Sequence, residues 1–297
     1  MIKRLALVTA VLLLLGIGIA FAVPATRYPL LAFLQNERLH RGRPLRYWIG
    51  TLKDNDPEVR RRAALNLGDL AVCKQPGQID AECSQVIAAL IETLGDADGF
   101  VRKCAATSFL MVPKETPVPQ DSATIARLTT ALGDGEVAVR QAGVRGLWQA
   151  GAVAKEGSGV GRLTAALADK DDFVRAYASR ALARIGPDAK DAVPTLLERL
   201  RQDEERDDRK LAAKAMGLIG AKAIGPLLPD TVAALIDALK NDARGLREYS
   251  ARSLGQLGAK DAIPALKKIM KDRDEHVAAA AAEALKLLES GDSQQEP

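Results

Sequence analysis

Histidine is scarce in this sequence, and the motifs of several common enzyme classes are missing. Only His40 and His276 occur among the 297 residues. A multi-histidine metal site or a Ser-His-Asp triad therefore has little material to draw on. No G-x-x-x-x-G-K loop is present to hold a phosphate group. The sequence thus predicts a protein that is not an enzyme and that binds no metal and no cofactor.

Aromatic residues are also few, at 4% of the chain, although apolar residues reach 47%. Alanine and leucine dominate the apolar content. A β-rich fold would require more valine, isoleucine, threonine and aromatic residues. The composition therefore favours closely packed helices, in one or two globular domains or in one extended repeat array.

An uncharged segment from residue 5 to residue 23 follows Lys3 and Arg4 near the start of the sequence. As a helix it would reach about 28 Å, close to the hydrocarbon thickness of a bilayer. It ends in Ala-Phe-Ala at residues 20–22, a small-x-small pattern that a signal peptidase can cleave. Residues 1–23 are therefore predicted to be a signal anchor or a signal peptide, and the length of the segment favours the anchor.

The three cysteines bear on the compartment in which the chain resides. Cys73 and Cys83 bracket a short polar segment that has the composition of a loop. A disulfide between them would contribute about 2–3 kcal/mol and requires an oxidising compartment, whereas two unpaired thiols are the alternative. Cys104 lies in an apolar helical pattern, where cysteine behaves as a small buried hydrophobe. We therefore expect a single N-terminal anchor in the inner membrane with the rest of the chain extracytoplasmic, or a cleaved chain that is secreted or periplasmic.

Positive charge is concentrated just after the apolar segment. The whole chain has a formal net charge of +4, and residues 24–46 alone carry +4, whereas everything from residue 47 onward carries −2. Residues 24–43 are interpreted as a basic juxtamembrane linker, which either contacts anionic headgroups or is simply solvated. The mildly acidic remainder does not support nucleic acid as a partner.

A motif that contains arginine recurs about every 36 residues and organises the rest of the chain. The position three residues after the arginine is small in all seven copies, and the position seven residues after it is large and apolar. Together these positions lie on one face of an α-helix. The arginine column consists of Arg60, Arg102, Arg140, Arg175, Arg209 and Arg247, and Ala278 takes its place in the seventh copy.

A second apolar segment precedes each arginine-bearing helix. Acids between the two segments, among them Asp96, Asp169 and Asp272, are predicted to end one helix and to cap the next. Ser122 is predicted to be the N-cap of the first helix in its copy. Each copy therefore predicts a pair of helices that are joined by a short turn.

These copies resemble HEAT repeats, in particular the bacterial HEAT-like class that phycobilisome lyases share. One part of the resemblance is an acid three residues before a Val-Arg pair, as in Asp56, Val59 and Arg60. The other part is a glycine followed by Asp-Ala-Val/Ile-Pro-x-Leu, at residues 186–196 and 258–266.

The resemblance implies an all-α fold, an α-solenoid of about seven HEAT-type helix pairs over residues 44–289. An N-terminal hydrophobic helix would precede this solenoid, and residues 290–297 would form a disordered acidic tail. In the family, the aspartate and arginine mainly brace neighbouring repeats, so the resemblance implies a structural role for the arginine column.

A basic residue stands five positions after the column arginine in four consecutive copies. This position lies about 140° around the helix from the arginine and away from the core face. Because second helices line the concave surface of HEAT arrays, the resemblance implies a basic stripe on that surface. The predicted partner-binding residues are Arg145, Arg180, Lys214 and Arg252, with Lys210 and Trp148 on the same exposed face. A solvated face that local acids neutralise is the alternative.

The function expected from these features is that of a non-catalytic scaffold, membrane-tethered or exported. It would bind a protein partner, through an acidic segment, on the solenoid surface. The alternative is an enzyme or enzyme accessory of the HEAT-like lyase type. A chromophore bound to the purified protein would favour that alternative.

Overall fold

A computed structural model describes residues 39–72, 81–114, 116–202, 206–241 and 243–290. The described chain divides into two compact units between Pro113 and Lys114. The N-terminal hydrophobic helix, most of the basic linker and residues 291–297 lie outside these ranges, so the predictions about them remain predictions. Ser290, the first residue of the predicted tail, still belongs to the last helix.

A short hairpin precedes the helices of the first unit. Strands β1 (Leu39–His40) and β2 (Arg43–Pro44) pair antiparallel. The turn between them is formed by Arg41 and Gly42, which have φ angles of 50° and 74°. Two successive positive φ angles are typical of the tight turns that join hairpin strands. The end of the predicted linker is therefore ordered next to the first repeat, where Trp48 Nε1 donates a hydrogen bond of 3.2 Å to the carbonyl of His40.

The first unit contains two helix pairs. They are α1 (Leu45–Thr51) with α2 (Pro57–Val72), and α3 (Ala81–Thr93) with α4 (Gly99–Met111). The second helices, α2 and α4, pack against each other. Gly68 allows this close approach, because a Cβ atom at that position would lie 2.5 Å from Oγ of Ser108.

The second unit contains five helix pairs, in which the second helix of each pair packs on the second helix of the next. With the two pairs of the first unit they give the seven pairs that the repeat predicts. The elements are α5 (Ser122–Ala131) with α6 (Val137–Ala150), α7 (Gly159–Ala166) with α8 (Asp172–Ile185), α9 (Val193–Gln202) with α10 (Arg206–Ile219), the short α11 (Ala221–Ile224), α12 (Leu228–Ala238) with α13 (Arg244–Gln256), and α14 (Ile263–Ile269) with α15 (Glu275–Ser290).

The core consists of the apolar positions that the repeat predicts. Six of the seven residues at the large apolar position are fully buried, and they are Leu67, Phe109, Leu147, Leu182, Met216 and Leu254. The small residues four positions earlier, such as Ala63 and Ala178, are fully buried as well. Small residues at helix contacts let the axes approach closely, and the larger ones fill the layer between them.

The column arginines connect neighbouring repeats through carboxylates. In three cases Nε and Nη2 of the arginine both donate to one aspartate of the following repeat, at 2.7–3.0 Å. Nη1 of each also donates to a backbone carbonyl in the turn before its own helix. Paired bonds of this kind are the stronger form of a guanidinium–carboxylate contact. The pairs are Arg60 with Asp96, Arg140 with Asp169, and Arg247 with Asp272.

The other arginines of the column have different partners. Arg175 donates to Asp208 at 2.7 Å, and Arg199 donates to the same carboxylate at 3.0 Å. Arg209 donates to the carbonyl of Leu200 at 2.9 Å. Arg102 donates to the carbonyl of Asp96 at 2.9 Å, among other contacts. The column therefore ties helices to turns and repeats to repeats, which is the role that the resemblance implies.

Two predictions about the compartment can be compared with the described residues only in part. No single helix among these residues is long and apolar enough to cross a membrane. The helices Asp208–Ile219 and Ala221–Ala238 reach the required length and composition only together, and they bend by 97° at the break between them. Cys83 is buried in α3, but Cys73 lies outside the described ranges, so the disulfide stays a prediction.

Candidate partner-binding groove

A cavity of about 730 Å³ opens among the second helices of the second unit. Residues of α6, α8, α10 and α13 line it, and we call it the basic groove. Its basic lining residues are Arg180, Arg184, Lys210, Lys214 and Arg244. The pairs on α8 and α10 are each four residues apart, and residues with that spacing lie on one face of a helix.

The basic groove carries an excess of positive charge. Glu248 is the one acid among the described residues that line it. This carboxylate is already engaged, because it lies 2.9 Å from Nη1 of Arg252 and 3.8 Å from Nη2 of Arg244. Nε of Arg244 also approaches Asp274, at 3.5 Å. Acids therefore neutralise one end of the groove, on α13.

The bases on α8, and Lys214 on α10, have aromatic neighbours instead. The guanidinium carbon of Arg180 lies 4.8 Å from the ring centre of Tyr177, and that of Arg184 lies 5.5 Å from the ring centre of Trp148. Nζ of Lys214 lies 5.5 Å from the ring centre of Tyr249. In the part of the chain that the structure describes, none of these three bases forms an ion pair with an acid. Cation–π contacts hold their positions but leave their charge uncompensated.

An aromatic cluster supports this side of the groove. Trp148 meets Tyr177 edge to face, with ring centres 5.3 Å apart, and Phe173 stacks on Tyr177 at 4.3 Å. Helix α8 thereby supplies two of the three rings and two bases of the groove, over about three turns. Asp171 is the N-cap of α8, because its carboxylate accepts a hydrogen bond of 3.0 Å from the backbone N–H of Val174.

The structure brings together four of the six predicted partner-binding residues. Trp148, Arg180, Lys210 and Lys214 all line the basic groove. Arg252 lies at its border, where its guanidinium carbon is 5.9 Å from the centre of the Tyr249 ring and its side chain is 41% exposed.

Arg145 does not belong to this exposed face, and the expectation that it points into solvent is wrong. It is only 5% exposed. All six residues from 142 to 147 of α6 are buried, so this helix is covered on more than one side. Gly143 and Gly146 contribute to this cover by letting α5 come close, since a Cβ at Gly143 would lie 2.8 Å from the carbonyl oxygen of Leu128.

Several residues of the groove were not among the predicted ones. Arg184 could have been found, because it follows Arg180 by four residues on the same helix. Arg244 and Glu248 precede Arg252 by eight and four residues, but neither stands at a position that repeats along the chain. The aromatic partner of Arg180, Tyr177, has a counterpart in Tyr249, because each stands two residues after its column arginine and three before a base, so this signal could have been found. Among the described residues, no group of three or more histidines, cysteines or acids is placed to hold a metal ion.

The paired helices and the arginine–aspartate contacts define an α-solenoid repeat protein. HEAT repeats match residues 125–217 and 193–286, which together make up more than half of the chain. The chain therefore belongs to the HEAT-repeat family.

Solved structures agree with this fold. Two engineered proteins from the Northeast Structural Genomics Consortium are similar to the chain. The first is 21% identical, with a TM-score of 0.65, over 84% of this chain and 69% of its own. The second is 20% identical, with a TM-score of 0.52, over 83% of this chain and 97% of its own. At these identities the likeness concerns the fold alone. No curated protein matches the sequence.

Proposed function

We propose that this protein is a non-catalytic scaffold that binds an acidic segment of a protein partner in the basic groove. The observation that carries the proposal is the uncompensated charge of Arg180, Arg184 and Lys214. By contrast, two column arginines of the same unit, Arg140 and Arg175, are each satisfied by a carboxylate at 2.7–3.0 Å. Helix α8 thus carries a neutralised base between repeats, Arg175, and unneutralised bases on the groove.

Carboxylates of a partner would supply the missing charge. The groove has room for a polypeptide segment, and apolar surface next to the bases would add contact area, since Leu218 is 40% exposed and lines the same cavity. Charge complementarity mainly accelerates encounter and selects the partner, whereas aromatic and arginine side chains supply much of the binding energy at protein interfaces.

The scaffold would work at a membrane. The apolar segment at residues 5–23 would anchor it in a bacterial inner membrane, with the repeats outside the cytoplasm, and the basic linker would lie next to the headgroups. A fusion of the C-terminus to alkaline phosphatase, which is active only outside the cytoplasm, would test the orientation. Resistance of the fusion protein to extraction at high pH would separate an anchored chain from a cleaved and secreted one.

The binding proposal is tested by cross-linked affinity capture from membranes. The test variant carries Arg180→Glu, Lys214→Glu and Arg252→Glu, and it omits the buried Arg145. A matched control carries Lys190→Glu, Lys222→Glu and Lys268→Glu, three exposed lysines of the same unit that lie away from the groove. A specific polypeptide that the wild type and the control retain, and that the test variant loses with its helicity unchanged, supports the proposal. Retention by all three proteins would refute it.

A further inference from the structure

We infer that the basic groove recognises a peptide in the polyproline II conformation that carries an acid at every third residue. This inference rests on the proposed function and specifies the ligand of the same groove. It starts from one repeat position, five residues after the column arginine, which is basic on three neighbouring second helices. The three residues are Arg180 on α8, Lys214 on α10 and Arg252 on α13.

The spacing of these bases follows from helix packing. Helix α8 packs on α10, and α10 packs on α13. The axes of packed helices lie about 8–10 Å apart. Because the three bases occupy the same position of the repeat, one step along the groove separates successive bases by about this distance. Tyr249 lies between the last two of these bases, with Nζ of Lys214 at 5.5 Å and the guanidinium carbon of Arg252 at 5.9 Å from its ring centre.

The backbone conformation of the ligand follows from the same distance. A polyproline II helix rises about 3.1 Å per residue with three residues per turn, so every third side chain returns to the same side after about 9.3 Å. A β-strand would cover three residues in about 10 Å, but its side chains alternate, so every third one would point away from the groove. Of these two extended conformations, only polyproline II therefore aims every third side chain at successive bases from one side.

The walls of the groove suit such a ligand. Polyproline II segments dock in grooves that are lined by aromatic rings, because the preformed conformation loses little entropy on binding. Trp148 and Tyr249 line the cavity, and Leu218 adds an exposed apolar surface. The segment from residue 47 onward carries a net charge of −2, whereas a nucleic-acid-binding domain typically has a basic net charge that neutralises phosphates. The charge balance therefore favours an acidic peptide over single-stranded nucleic acid.

Two synthetic peptides of identical composition and charge test the spacing. One is fluorescein-labelled Asp-Pro-Pro-Asp-Pro-Pro-Asp, and the other is Asp-Asp-Asp-Pro-Pro-Pro-Pro with the same label. Fluorescence anisotropy with the purified full-length chain gives a Kd for each. We expect the spaced peptide to bind about fivefold more tightly, which corresponds to one additional charge pair engaged at the same time.

Single substitutions then locate the effect. Lys214→Gln removes the middle base and should abolish the difference between the two peptides, whereas Lys222→Gln, at an exposed lysine outside the groove, should preserve it. Equal Kd values for both peptides with the wild-type chain would overturn the spacing inference and leave an acidic partner in place. Binding of neither peptide would also overturn it, and the capture experiment would then decide the proposed function separately. Tighter binding of an oligodeoxythymidine than of either peptide, sensitive to Lys214→Gln, would overturn it in favour of nucleic acid.

Discussion

The contact between Arg247 and Asp272 gives the sharpest test of how neighbouring repeats are held together. The two side chains are 7% and 9% exposed, and two hydrogen bonds of 2.8 and 2.9 Å join them. Asp272→Asn keeps the shape and removes the charge, so the guanidinium loses its counter-ion. Breaking a buried pair from one side costs about 3–5 kcal/mol. Because Arg247 keeps its bond of 2.9 Å to the carbonyl of Asn241, we expect a loss of about 3 kcal/mol, at the lower end of that range.

Urea unfolding at pH 7 measures this loss. Trp148 reports on the second unit, and a Trp48→Phe background makes it the sole tryptophan. With a slope of about 2 kcal/mol per M, the urea midpoint should fall by about 1.5 M. The control is Asp237→Asn, whose ion pair with Lys240 is 78% and 76% exposed and should be dispensable.

A double substitution separates the ion pair from other effects. Arg247→Met combined with Asp272→Asn removes the uncompensated charge as well, so it should recover part of the lost stability. If Asp272→Asn shifts the midpoint no more than Asp237→Asn does, the arginine column does not brace the repeats, and the reasoning is refuted.

Three further predictions concern the same unit and the core of the first. The hydrogen bonds from Arg247 lower the pKa of Asp272 in the folded protein. The contribution of Asp272 to the free energy of unfolding is therefore complete above the unfolded pKa of about 3.9 and is lost as the pH falls through the folded pKa. The stability difference between wild type and Asp272→Asn should shrink below about pH 4 in urea titrations. Phe109→Ala should destabilise the first unit by about 3–5 kcal/mol in urea unfolding, because the ring is fully buried, and a loss below 1 kcal/mol would contradict the core assignment. Arg145→Ala should lower the melting temperature more than Arg180→Ala, because only the former is buried; equal melting temperatures would show that its burial has no energetic consequence.

The periodic positions of the sequence predict most of the fold. The large apolar and the small residues at fixed distances from the column arginine are buried. Each second helix packs on the second helices of the neighbouring repeats, so the same contact positions recur in every repeat. Partners of the arginines were less predictable. Asp96 and Asp169 were predicted to be helix caps, whereas they accept hydrogen bonds from arginines 36 and 29 residues away. Capping preferences concern residues within one helical turn of each other, so they cannot predict a contact at that separation.

The fifth repeat shows what a local pattern misses. Asp208 occupies a position that is apolar in the six other repeats, and the sequence alone gives no reason for it. In the structure its carboxylate is 4% exposed and accepts hydrogen bonds from Arg175 and Arg199, so it plays the part that Asp96, Asp169 and Asp272 play from the turns of their repeats. At the start of α5 the N-cap lies one residue earlier than the sequence predicts, because Asp121, and not Ser122, accepts a hydrogen bond from the backbone N–H of Thr124.

The candidate groove was predictable only in part, because exposure depends on what surrounds a helix. Angular position alone placed Arg145 and Arg180 on the same face, yet α6 is buried over residues 142–147. The neutralisation of Arg252 by Glu248 follows from the four-residue spacing on α13 and could have been foreseen. The cation–π contacts of Arg184 and Lys214 join different helices and required the packed structure.

On the second helices, the residues that pack the core and the residues that face the groove occupy different repeat positions, which affects how such a protein can evolve. On α8, α10 and α13 the buried positions three and seven after the arginine carry the packing, whereas the positions five after it face the groove. Substitutions at the second set leave the first untouched, so mutations that retune ligand preference need not be accompanied by compensating core mutations. A duplicated gene could therefore acquire a new binding specificity through a few surface codons while inheriting an intact fold.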